Sequence, residues 1–370
     1  RNKRDFFFVM NGDINDGTGL STDPPIELVP LLERMPWDVV TVGNHELYKN
    51  DFIDYIAQGG GFIPFWGDRY LTTNVVNATT GKALGRTHKF LRGQFGTVLL
   101  AFGFLYNMPD HGTAVDVIKV ETVIQQQWFI NVLRGAEGNF NAVLILGHMD
   151  HADPLVTVIL RAIRSAQPHV PVQFVTGHSH IRAYSALDGA ASSFEAGHYL
   201  DTVGFASFPN IETKANRSTD LAVGFQHVFI DANIGTFKKI LGMDDFHTAE
   251  GNDLTKAIAT TRHSMGLSHV LGCSPMTYEV SVGFNRSNSL LNLLMNHVVV
   301  QALFLHNATK LFIQSAGSLR YDLFQGNVTK NDIVTMTPFE DEFWLLGHHV
   351  SGSFLSSVLE KLPDFATTSF

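Results

Sequence analysis

The chain predicts an α/β protein, with a layered first domain of alternating strands and helices followed by a smaller, incomplete α+β domain. Three observations carry that prediction. Short apolar runs rich in β-branched and aromatic residues recur through roughly the first 200 residues with amphipathic stretches between them, the pattern of strands buried under helices. Several of these runs end at once in a glycine-led polar cluster, and the carboxyl ends of strands are where α/β sheets build their sites. At 370 residues the chain exceeds the usual single domain, and beyond about residue 200 the pattern changes to short strands and turns.

Taken in order, Phe6 to Met10, Val39 to Val42, Val98 to Phe102, Val143 to Leu146 and Val172 to Val175 read as buried strands. Between them, Val120, Val123, Ile124, Trp128, Val132 and Leu133 are spaced for one face of a helix packed on a sheet, and Ile26 to Met35 and Leu155 to Ser165 are further helices. Phe225 to Ile230 is a strand, and the polar stretch 246–265 reads as the connection between a first domain over 1–245 and a second over 266–370. The second domain is expected to hold a helix near Ser289 to Leu303, a strand near Lys310 to Gln314 and a final helix near Ser351 to Lys361.

The composition is 45% hydrophobic and 16% charged, without charged blocks, Pro-rich tracts, heptads or internal repeats, as for a folded globular chain. A net charge of −9 with scattered lysines and arginines argues against a nucleic-acid partner. It leaves small anionic substrates open, because a bound cation sets the local sign of the field. The single cysteine, Cys273, excludes an internal disulfide framework. Five Asn-x-Ser/Thr patterns, at Asn77, Asn216, Asn285, Asn307 and Asn327, lean toward a secreted or vacuolar route, and no apolar stretch is long enough for a transmembrane helix.

Four clusters carry chemistry. Gly12-Asp13-Ile14-Asn15-Asp16 follows the first strand; the glycine permits a sharp turn and the carboxylate can bridge two cations, although Gly-Asp alone reads as an ordinary turn. Gly43-Asn44-His45-Glu46 follows the second, offering a neutral amide ligand beside an imidazole that can donate to an oxygen leaving the substrate; alone it reads equally as a helix cap. Gly147-His148-Met149-Asp150-His151 places His148 as a ligand, with His151 a surface or supporting residue and Asp150 a partner that orients an imidazole. In Gly177-His178-Ser179-His180 the two histidines reach one centre only if the glycine has already broken the strand.

These motifs, in this order, resemble the calcineurin-like metallophosphoesterase superfamily. The resemblance continues toward its 5'-nucleotidase family: Leu71-Thr72-Thr73-Asn74-Val75 is similar to an Asn-Val strand of the family, and Phe194-Glu195-Ala196-Gly197-His198 to its Ala-Gly turn. Ser315-Ala316-Gly317-Ser318-Leu319-Arg320 resembles its Asn-x-Gly-x-x-Arg segment, and Pro338-Phe339 its Pro-Phe. The Asn-Asp-Gly-Thr-Gly run at 15–19 suggests the fungal secreted or vacuolar branch.

The resemblance implies a layered metallophosphoesterase domain, two divalent ions (zinc, manganese, cobalt or similar) and hydrolysis of a phosphomonoester, such as a nucleoside 5'-monophosphate, by metal-activated water. Carried over by motif, Asp13 bridges the ions, Asn44, His148 and His178 complete one site, His180 belongs to the other, and His45 stabilises the transition state or the leaving oxygen. Arg320 would pair with the phosphate or ribose, Phe339 would stack on a base, and Arg286 would also touch the substrate.

The sequence departs from the family pattern in three places. No D-x-H precedes Asp13, so the chain reads as truncated, with its first strand missing and one ion well held; it is read as cut at its other end too. Tyr48 stands where the family has an aspartate paired with the histidine, and Ser315 replaces the substrate-segment asparagine. Two other readings compete: a catalytically silent binding or surface module on the same scaffold, and a hydrolase of nucleotide-sugars or cyclic phosphates.

Overall fold

The computed structural model describes residues 4–208, 224–302, 314, 316–339 and 350–359. The chain divides into two compact units, one of Arg1–Asp16 with Leu20–Thr261 and one of Gly17–Gly19 with Arg262–Phe370.

In the first unit, β1 (Val9–Asn11), β2 (Val39–Thr41) and β3 (Tyr70–Leu71) form a parallel three-stranded sheet. β4 (Val75–Asn77) pairs only with a short later strand, whereas β5 (His88–Arg92) and β6 (Val98–Leu105) open a second sheet. After β7 (Val115–Val117), the partner of β4, that sheet adds β8 (Ala142–His148), β9 (Val172–Thr176), β10 (Arg182–Asp188) and β11 (Ala191–Ala196). Its order is β10-β11-β9-β8-β6-β5, parallel except for the two edge strands.

The two sheets pack face to face through Val39, Leu71, Leu99, Ala101, Leu144 and Leu146. On the outer face of the six-stranded sheet, Ile145 and Phe174 meet Phe129, Val132, Ile159 and Ile163. On the other side of the sandwich, Val40 and Tyr70 meet Phe52, Ile56, Phe62 and Trp66 from the helices Asn50–Ala57 and Phe62–Trp66. The result is a sandwich of two sheets between two helical layers, and its central strands read as continuous apolar runs because both faces are covered.

The expected strands are present, with the first beginning at Val9 rather than Phe6. The helix expected through 120–133 is two, Val120–Val123 and Gln127–Leu133, with Gln126 extended between them. At 100° per residue, one continuous helix would turn Phe129 about 180° from Val120. Both are fully buried in the same core, so the break is what lets both segments face the sheet. The stretch from Ile26 to Met35 forms only one helical turn, Val29–Leu32, after Pro24 and Pro25, which cannot donate backbone hydrogen bonds. The helix Pro154–Ala166 is capped by Asp153, whose side chain accepts from the Leu155 N–H at 2.8 Å.

β12 (Thr202–Ser207) and β13 (Gln226–Asp231) form a separate antiparallel ribbon. The polar stretch 246–265 is mostly a helix, Ala249–Ser264, with no buried residue. In the second unit, β14 (Val270–Ser274) pairs antiparallel with β15 (Gly326–Thr329) beside a small core of Leu290, Leu319, Leu323 and Val328. The helix expected from Ser289 begins at Leu290 and turns π-helical over Leu294–Val299. A helix spans Gly352–Leu359, and the strand expected over 310–314 falls, but for Gln314, outside the described residues.

Candidate metal centre

The centre begins where β1 ends. Gly12 at φ +78° and Asp13 at φ +50° are both left-handed, and the pair turns the chain sharply after Asn11. A Cβ on Gly12 would lie 2.6 Å from the Gly43 nitrogen, and one on Gly43 only 2.1 Å from Asp13 Oδ1. The two motif loops therefore meet along bare backbone. Glu46, fully buried, joins them: its Oε2 accepts the N–H of Asp13 at 2.9 Å and that of Gly43 at 2.6 Å. Asp13 Oδ1 in turn accepts the His45 N–H at 2.9 Å.

Two more loops arrive from the second sheet. His148, the last residue of β8, lies with Nε2 at 2.9 Å from Asp13 Oδ2 and 3.0 Å from Asn44 Oδ1. Its Nδ1 is 2.7 Å from the Asn11 carbonyl oxygen; a carbonyl only accepts, so Nδ1 carries the proton and Nε2 is presented to the centre. Asn44 Nδ2 donates to the Tyr48 hydroxyl at 2.9 Å, which aims Oδ1 inward. A ring nitrogen of His178 completes a set in which the ligand atoms of Asp13, His148 and His178 lie within 4.8 Å of one another. The Tyr106 ring stacks on His178 at 4.7 Å. The four clusters thus converge from the facing ends of two sheets rather than along one.

Charge in this pocket is strongly coupled. Burial opposes ionisation of Asp13, yet the adjoining His148, by charge and hydrogen bond, holds its carboxyl well below the ordinary range. Burial likewise opposes charge on His148, and Asp13 overrules it, raising the imidazole to about 9. Glu46 is pushed up to about 8 by burial and then by the Asp13 charge. The pocket draws a proton onto the very nitrogen that a cation would use. One carboxylate, one amide oxygen and two imidazoles form a donor set that suits a borderline divalent cation such as zinc, manganese or cobalt.

The other predicted residues fall as follows. His45 Nε2 lies 3.7 Å from Asp16 Oδ2, and Asp16 is almost buried. Tyr48, at the position where an aspartate was sought, packs edge-on to the His45 ring at 5.5 Å. The chain has left β9 at Thr176, and both His178 and His180 adopt left-handed φ, +80° and +63°. His180 is not in the Asp13–His148–His178 set; its ring stacks on His198 at 5.3 Å. Asn74 is structural: its buried amide bonds the Leu105 carbonyl and N–H and the Ile118 carbonyl.

In the second unit the Arg320 guanidinium lies 5.5 Å from the Phe339 ring centroid, Phe339 is partly exposed, and Arg286 is exposed ahead of the helix at Leu290. Ser315 lies outside the described residues. Sequence reasoning gave no role to Asn11 or Glu46 and paired His45 with no acid. Asp16 and Glu46 both sit inside the glycine-led clusters, but nothing local shows that Asp16 meets His45 or that Glu46 meets Asp13.

Residues 1–182 match the model of the calcineurin-like phosphoesterase family, and residues 278–369 that of the NAD nucleotidase C-terminal domain. The chain thus carries a calcineurin-like phosphoesterase domain followed by a domain of the NAD nucleotidase C-terminal type. The chain is similar to the crystal structure of a 5'-nucleotidase from Candida albicans, with TM-score 0.78 and 26% identity over 90% of this chain and 64% of that one. A 5'-nucleotidase precursor from Thermus thermophilus shares the fold, with TM-score 0.65 at 14% identity over 91% of this chain and 65% of that one. An uncharacterized protein of Schizosaccharomyces pombe is 28% identical over 92% of this chain and 61% of its own length. An Arthroderma benhamiae protein named "Secreted protein" is 27% identical over 92% of this chain and 58% of its own. The chain thus spans about three fifths of the length of these curated relatives. Among the described residues no helix is long and apolar enough to cross a membrane.

Proposed function

We propose that this chain is a metal-dependent phosphomonoesterase acting on nucleoside 5'-monophosphates. The observation that carries the reading is the convergence of Asp13 Oδ2, Asn44 Oδ1 and His148 Nε2, with contacts of 2.9 and 3.0 Å, beside His178. When bound, a divalent ion makes water a nucleophile at neutral pH and withdraws charge from the phosphoryl oxygens. Asp13, Asn44, His148 and His178 would hold that ion, and Asp13 and His180 would serve a second one. His45, held beside Asp16, donates to the oxygen that departs with the nucleoside. Arg320 pairs with phosphate or ribose while Phe339 offers a face to the base. In this reading, residues 1–245 supply the chemistry and 266–370 the substrate contacts.

We also place the protein on a secreted or vacuolar route. The five glycosylation patterns support it, as does the name of the Arthroderma relative. Asn285 and Asn327 are exposed.

The test is phosphate release from AMP in the presence of Mn²⁺, Zn²⁺ or Co²⁺, with a chelator and Asp13→Asn as controls. Metal-dependent release abolished by both controls is expected. No release from any nucleoside 5'-monophosphate with any of these ions would refute the reading.

A further inference from the structure

A second group of ligating side chains stands outside the centre at Asp13. Asp150 and His151 lie in the turn after β8, and Glu195 is the penultimate residue of β11, paired in register with Thr176 at the end of β9. Their three ligand atoms lie within 4.8 Å of one another, and none of the three belongs to the Asp13–His148–His178 set.

Neutral donors hold both carboxylates, and Asp150 takes the Ala152 N–H at 2.7 Å and the Ser179 hydroxyl. Glu195 is fully buried, and its polar partners are the Ser179 hydroxyl, 2.8 Å from both carboxylate oxygens, the Ile181 N–H at 3.4 Å and the His151 backbone N–H. No lysine or arginine forms an ion pair with it among the described residues. A second carboxylate, Asp150, approaches instead from a partly exposed position, and like charges this close repel. His151 Nδ1 is 3.3 Å from Asp150 Oδ1, yet it is buried and makes no hydrogen bond, so the angle between them is wrong for one.

A buried carboxylate without a cationic side chain beside it, such as Glu195, is stabilised by coordinating a cation. A side-chain adjustment of about 1 Å would close these atoms on an ion with bonds of ~2.1 Å.

We propose that Asp150, His151 and Glu195 bind a divalent cation of the zinc or manganese class, independently of the centre at Asp13. Two carboxylates and one imidazole neutralise such an ion, and water completes its coordination. The ion would tie the turn that carries His148 to β11 and to the loop that carries His178, and so brace two ligands of the neighbouring centre.

The test counts ions and does not use the reaction. In an Asp13→Asn background, which removes the central carboxylate of the other site, Zn²⁺ or Mn²⁺ binding is titrated and the ion located by anomalous diffraction. We expect about one ion per chain, with its peak among Asp150, His151 and Glu195, and loss of that ion in Asp13→Asn/Glu195→Gln. Glutamine keeps an oxygen for Ser179; should that variant fail to fold, His151→Asn at the partly exposed position reads the same loss. An Asp13→Asn chain that binds no ion, a peak elsewhere, or an ion retained after His151→Asn overturns the proposal. Because phosphate release plays no part, the proposal stands or falls apart from the assigned reaction.

Discussion

Gly43→Ala is the sharpest test of how the centre is assembled. A methyl at Gly43 would sit 2.1 Å from Asp13 Oδ1 and 2.4 Å from the Asp13 nitrogen, whereas such contacts normally exceed 3 Å. The Asp13 loop must therefore retreat by about 1 Å or more, against the Glu46 carboxylate that ties both loops at 2.6 and 2.9 Å. Overpacking of this kind costs about 1–3 kcal/mol. In a unit of this size that lowers Tm by roughly 2–10 °C. The larger effect is on position: a shift of about 1 Å in a ligand or reacting group costs on the order of 100-fold. Gly59 has nothing within 4 Å of its Cβ site, so Gly59→Ala is the matched control. The assays are thermal unfolding, Zn²⁺ or Mn²⁺ titration and metal-dependent phosphate release. If Gly43→Ala matched Gly59→Ala in metal affinity and turnover, the close approach of the two loops would not be what places Asp13.

Tyr48→Phe removes the hydroxyl that accepts from Asn44 at 2.9 Å while keeping the ring against His45; because Tyr48 is half-exposed, water takes part of the bond. Metal affinity should fall by about 2–6-fold, from a loss of roughly 0.5–1 kcal/mol, with Tm nearly unchanged. Arg320→Ala and Phe339→Ala should raise KM for AMP with little loss of metal affinity, measured by steady-state kinetics and titration; a KM unchanged in both would remove the second unit from substrate binding. Arg164 holds Asp188 through two bonds of 2.8 and 3.0 Å, and this pairing sets the Asp188 carboxyl below its ordinary range. The stability it contributes is present above the unfolded pKa near 3.8 and lost as pH falls below it. Asp188→Asn should therefore cost about 1 kcal/mol or less at neutral pH and nothing in strong acid, read from denaturant melts across pH. Treatment with a glycosidase should shift the mass of protein secreted from a eukaryotic host, and mutation of Asn285 and Asn327 together should shrink that shift.

The legible part of the site was local. Each ligand motif directly follows a strand, and a strand's apolar run plus the glycine that ends it are visible within a dozen residues. That is why Asp13, Asn44, His148 and His178 could be named as candidate donors, and why β6, β8 and β9 begin and end within a few residues of the expected places. The helix over 120–133 failed for a local reason too: a period of 3.6 fitted through Trp128, whereas the core takes Phe129, which requires a break.

The amino-acid sequence by itself determined the candidate donor types and their order, because donor chemistry belongs to the side chain and a glycine turn to its own backbone. Tertiary structure decided which atom of each ligand faces inward and what holds it there. His148 is oriented by the carbonyl of Asn11, and Asp13 and Gly43 are joined through Glu46. His45 meets Asp16 rather than a neighbour three residues on, and Glu195 is brought from β11 to Asp150 and His151. These partners lie on different strands and loops, and no local period links them; the fold alone joins them, His148 to Asn11 across the two facing sheets at 2.7 Å and Glu195 to Asp150 and His151 from neighbouring parts of one sheet.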